Sequence, residues 1–118
     1  MSPYTESLSF IKKHPDTGAG IGLSKLILSL YNGRHSFSLG ECVSTFDRER
    51  LNLALPMIQD YFENGETAEL LQAGLDVIEA SPDLMQLSNA ASEEKADVRE
   101  SWRRAQEAKW AAEEALEG

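Results

Sequence analysis

Three side chains in this sequence could bind a transition metal through nitrogen or sulfur: His14, His35 and Cys42, its two histidines and single cysteine. None stands at the short paired spacing of a structural zinc site, so no metal is expected. A lone cysteine excludes an intramolecular disulfide and fits a reducing compartment. As a nucleophile, Cys42 would need a neighbouring base and positive surroundings. His35 is the only histidine near it in sequence, and Glu41 adjoins it, so the expected role beside Val43 is that of a small buried hydrophobe. Paired carboxylates such as Asp47/Glu49 and Glu66/Glu69 could share acid–base work only inside an apolar cleft that moves their pKa values. In a chain with 20 Asp+Glu the default is a solvated face. No catalytic residue, and no enzymatic activity, is expected.

The string Asp16-Thr17-Gly18-Ala19-Gly20-Ile21-Gly22-Leu23-Ser24-Lys25 could cradle phosphate on backbone amides. It resembles the glycine boxes of the histidine-kinase and gyrase type of ATPase, whose Asp-x-Gly-x-Gly-Ile stretch holds adenine and whose Gly-x-Gly-Leu-Ser turn covers phosphates. That resemblance implies a nucleotide site. It departs from the family, however, because only 15 residues precede Asp16, none of them the asparagine that would hold magnesium. The two boxes are also fused instead of being separated by a lid. A Gly-x4-Gly-Lys-Ser/Thr loop fails because Gly22 is followed by Leu23-Ser24-Lys25, and the dinucleotide fingerprint fails at Leu23. The expected structure is a connecting loop, Asp16 to Gly22, that leads into a helix. No cofactor is expected.

The elements that would position these residues read as helices, since nothing alternates long enough for a strand. Ser2 and Pro3 suit a cap and first helical position, and Tyr4, Leu8 and Ile11 form one stripe of helix 1. His14-Pro15 ends it. Helix 2 is expected from about Leu23 to Asn32, with Leu23, Leu26, Ile27, Leu30 and Tyr31 inward and Gly33 in a left-handed turn. Ser38 to Glu41 has the spacing of a capping box and opens a short helix 3 carrying Cys42, Val43 and Phe46. Asp47 caps helix 4, where Leu51, Leu55, Ile58 and Phe62 share a face widened by Ala54 and Tyr61. Pro56 should kink or split this helix, and Asn64-Gly65 stops it. Helix 5 starts near Thr67 and buries Leu71, Leu75 and Ile78. Ser81-Pro82 opens helix 6, with Leu84, Met85 and Leu87.

The last segment differs. From Ser92 to Leu116 strong helix formers dominate: Ala, Glu, Lys, Arg and Gln. Ser92 is its expected cap, Glu93-Glu94 suit the positive end of its dipole, and Glu100 supports Arg104 one turn on. Its apolar content is thin: Val98, Trp102, Trp110, Leu116 and several alanines. Trp102 and Trp110 project about 80° apart on an ideal helix, flanked by Arg103, Arg104 and Lys109. Either both dock onto helices 1–6, or at least one anchors a partner or a second copy, as tryptophan and arginine do at binding hot spots. So narrow a stripe also suits a self-pairing helix.

Charge bounds the partners. The formal net is −9 over 118 residues, and residues 41–83 alone hold two arginines against ten acids. Such a field repels phosphate backbones, so no direct nucleic acid is expected. The acids either serve solubility or meet a basic protein surface. No apolar run approaches a membrane span. The start, Met1-Ser2-Pro3-Tyr4-Thr5-Glu6, lacks the basic-then-apolar layout of a secretion signal, and a cytoplasmic location is expected.

The run Leu26-Ile27-Leu28-Ser29-Leu30-Tyr31-Asn32, then Phe37-Ser38-Leu39, Asp47 and Tyr61-Phe62-Glu63-Asn64-Gly65, resembles an uncharacterised family of small proteins from proteobacterial plasmids and integrated elements. The likeness covers roughly residues 17–66 and transfers no active site. It implies a setting in which small proteins act by binding host or rival machinery. The expectation is an all-α chain: a compact bundle of five or six short helices over 1–90, then a longer Ala/Glu-rich C-terminal helix, 91–118, packed or partner-binding. Its leading function is that of a non-enzymatic interaction protein, an inhibitor of the anti-CRISPR or anti-restriction kind. Its acidic face (Asp60, Glu63, Glu66, Glu69, Asp76, Glu79) would occupy a basic, nucleic-acid-binding groove of a host complex. The alternative is an oligomerisation module, with a homodimer formed through Trp102, Arg103 and Trp110. A third reading is nucleotide binding by the glycine string.

Overall fold

Short polar side chains start each of the first five helices by accepting a backbone amide that the helix leaves unpaired. In the computed structural model, which describes residues 2–33, 35 and 37–117, Ser2 caps α1 (Pro3–Lys13) and Thr17 caps α2 (Gly18–Tyr31). Ser38 and Glu41 form the reciprocal capping box of α3 (Leu39–Val43), Asp47 caps α4 (Arg48–Asn64), and Thr67 caps α5 (Ala68–Ala80). Ser81 closes α5, and Pro82 opens α6 (Pro82–Glu117). The described residues form six helices and no strand, so the fold is all-α.

The glycine string is not a loop. Thr17 starts α2 five residues earlier than the expected Leu23, and the glycines lie in its first turns. Their missing side chains permit close approach: a Cβ on Gly20 would meet the His14 carbonyl oxygen, and one on Gly22 the Cys42 carbonyl oxygen. α2 is enclosed by α1, α3, α4 and α5. It therefore buries Leu28 as well as Leu23, Leu26 and Ile27, while Leu30 and Tyr31 are only half-buried. Each fully buried leucine contributes about 1.5–3 kcal/mol. Asn32 ends α2, and Gly65 after α4 is the one described glycine with positive φ, at 66°. The left-handed turn expected at Gly33 is thus absent.

α1 buries Tyr4 and Ile11, with Leu8 half-buried, as its stripe requires. α4 and α5 are turned from the expected faces, of which only Ala54 and Ile58 in α4 and Ile78 in α5 remain in or against the core. α4 buries Ala54 and Met57 and leaves Leu51, Leu55 and Phe62 exposed; α5 buries Leu70, Ala73, Gly74 and Val77 and exposes Leu71 and Leu75. The reason is close packing: Gly74 lies directly against the Tyr31 ring, so α5 seats its small residues on α2 and turns its larger leucines aside. Pro56 does not split α4, which runs unbroken through it. Both Pro56 and Asn52, whose carbonyl loses its helical partner to the proline, are exposed, so water can take up the freed acceptor. Phe46 falls beyond the end of α3, half-buried against the core.

Ser92 is not a cap. α6 is one helix of 36 residues, continuous across the expected boundary at 90/91 because nothing between Asp83 and Glu117 is glycine or proline. Leu84 and Ser88 are buried, whereas Leu87 is exposed and every described residue from 101 on is exposed. The molecule accordingly extends 66 × 29 × 25 Å. Its core is buried Cys42, Leu23, Ile27, Leu28, Met57, Leu70 and Val77 with their neighbours. Among the described residues no helix is long and apolar enough to cross a membrane.

Candidate functional site

The acidic residues fall into two groups. Asp60, on the last turns of α4, accepts the Tyr4 hydroxyl at 3.2 Å through Oδ2 and the Asn64 amide at 3.0 Å through Oδ1. Glu69, on the first turn of α5, shares an open cleft with Tyr4, Asp60, Asn64 and Thr67. The Tyr4 phenol is driven well above its usual range by burial first, then by Asp60, with Glu69 adding to it. Glu63 and Glu66 flank this junction, exposed, with Gln59 donating to Glu63 at 3.2 Å. Asp76 and exposed Glu79 lie farther along α5, about 10–15 Å beyond Glu69 by helical rise. Gln72 donates to Asp76 at 3.0 Å. The fold thus brings Asp60, Glu63, Glu66 and Glu69 to one end of the bundle and leaves Asp76 and Glu79 along a flank. The ion pairs among the described residues involve Glu41, Glu49 and Glu100, not these six acids.

Trp102 and Trp110 do not dock on helices α1–α5: they are 68% and 55% exposed. Arg103 lies beside them, held to Glu100 at 2.6 Å, and Arg104 reaches the same carboxylate at 3.3 Å. These two guanidiniums keep the Glu100 carboxyl below its ordinary range. Glu94, Lys95, Val98, Arg99 and Trp102 line a shallow groove, apolar at its floor, along the same helix.

Cys42 is buried, and burial followed by the Glu41 charge pushes its thiol up, away from a reactive thiolate. His35 is buried against Ser88, with Nδ1 2.5 Å from the Ser88 hydroxyl, and this bond fastens the base of α6 to the segment after α2. His14 is exposed at the end of α1. Among the described residues no group of three or more His, Cys, Asp or Glu side chains converges as a metal cage. The Asp16–Lys25 string, wound into α2 with its glycines against neighbouring carbonyls, offers no phosphate-cradling loop.

Sequence reasoning missed the exposed apolar side chains of α4 and α5. Phe62 is 88% exposed, and Leu55 and Leu75 about half. The signal was present: Met57 next to the already expected Ala54 in α4, and Ala73, Gly74 and Val77 in α5, form narrower stripes that permit closer packing. Comparison with protein-family models, curated proteins and solved structures finds no match to this chain.

Proposed function

We propose that the chain is a non-enzymatic interaction protein that binds a protein partner through carboxylates at the α4–α5 end and the apolar side chains beside them. The observation that carries this reading is the combination on these two helices. Phe62 and Leu55 share α4 with Glu63, and Leu71 and Leu75 share α5 with Glu69 and Glu79, all largely outside the core. Exposed aromatic and aliphatic side chains with a charged surround have the make-up of a protein interface. The acids select a basic partner and speed its encounter. A basic groove that normally holds nucleic acid fits this chemistry, and filling it would make the chain an inhibitor of the anti-CRISPR or anti-restriction kind.

The test is affinity capture from the source cell with the full chain and with a Glu63→Lys/Glu66→Lys/Glu69→Lys variant. A partner that is kept by the native chain, lost by the variant and released progressively as ionic strength rises supports the reading. Capture indifferent to both the substitutions and the salt refutes it.

A further inference from the structure

The far part of α6 carries a repeat that this chain itself does not use. Val98, Trp102, Ala105, Lys109, Ala112 and Leu116 recur at alternating spacings of four and three. That is the spacing of the seam in a two-stranded coiled coil. Its residues are exposed, Val98 37%, Trp102 68% and Leu116 88%. We propose that a second copy of this chain pairs antiparallel with α6, the two-fold axis lying near Glu107. The pairing surface is separate from the α4–α5 acids and does not depend on the reading of them.

Two features select this partner and this direction. The first is volume. About a centre at Glu107, Val98 lies opposite Leu116 of the second copy, Trp102 opposite Ala112, and Ala105 opposite Lys109. The bulky indole meets a methyl group, and the lysine stem lies over an alanine while its ammonium reaches water. Parallel pairing would set Trp102 on Trp102 and Lys109 on Lys109.

The second feature is charge. Residues 95–104 hold Lys95, Arg99, Arg103 and Arg104 against Asp97 and Glu100, a net of +2. Residues 105–117 hold Lys109 against Glu107, Glu113, Glu114 and Glu117, a net of −3. Antiparallel alignment sets the positive half against the negative half, and parallel alignment sets like on like. Arg99 and Glu113, each one residue past a seam position, face one another twice across the axis.

The overlap of about three heptads begins past Leu84 and Ser88, the buried residues of α6, so the two bodies lie outside it at opposite ends.

Sedimentation velocity of the full chain over a concentration series tests the pairing. A reversible dimer is expected, weakened roughly tenfold or more by Trp102→Glu or Leu116→Glu. Circular dichroism should be unchanged, since both side chains are exposed. Arg99→Glu and Glu113→Arg should each reduce self-association, and mixing those two variants should restore a dimer, because the opposed charges then meet at both ends. Three results would overturn the proposal: a chain monomeric at several hundred micromolar, a dimer indifferent to Trp102→Glu, or single charge variants that associate no better mixed than apart.

Discussion

The Tyr4 hydroxyl joins the first turn of α1 to the Asp60 carboxylate near the end of α4. Its phenol titrates above the ordinary value of about 10, so its contribution is fully present below that pH. As pH rises beyond 10 the unfolded chain gives up this proton before the folded one does, and stability falls. Tyr4→Phe should therefore cost about 1–2 kcal/mol at neutral pH, and the gap between native and variant should shrink above pH 10 in urea titrations followed by circular dichroism. A constant gap would count against the coupling. At this scale the sequence was informative about types and silent about partners. Tyr4 read as an inward residue from its stripe, but a bond to a residue 56 positions away has no local signature. Cys42 read correctly as buried because its neighbours on a short capped helix already implied it.

Among the helices, several starts were legible because caps are local chemistry: Ser2, Ser38 and Asp47 cap the helices their positions implied, whereas Ser81, expected to cap the last helix, instead closes α5. Buried faces were not legible. α4 is apolar over nearly half its circumference, and which arc turns inward depends on how closely α1 and α2 approach it. The two arcs differ measurably. Met57→Ala should lose about 2–5 kcal/mol, whereas Phe62→Ala should stay within about 0.5 kcal/mol of the native chain. Chemical denaturation of the two variants checks the assignment, and a costly Phe62→Ala would reverse it. The glycine string failed as a loop for the same reason. Its spacing suits phosphate binding and close helix packing alike, and only the third dimension showed that Gly20 and Gly22 lie against carbonyls of adjacent segments.

For the molecule as a whole, a compact chain of this length has a radius of gyration of about 13 Å, whereas this one has 18.9 Å. The excess is α6, whose outer part, exposed from residue 101 to 117, is not packed against the other described helices. At concentrations where the chain is monomeric, removing residues 95–118 should thus change the unfolding free energy of the remainder by less than about 0.5 kcal/mol, as read by thermal or urea unfolding. A larger loss would mean that the outer helix supports the body. The helix itself was legible from its composition, but its continuity with the preceding turns was not, because Ser92 imitates a cap.

That continuity makes α6 a shaft whose angular phase is locked to the body. One residue inserted near its middle would swing the tip by about 100° and advance it by only about 1.5 Å, and seven would bring the heading back to within about 20°. Trp102 and Trp110 are thereby aimed as well as displayed, at an azimuth that a jointed tether in place of the shaft would scramble.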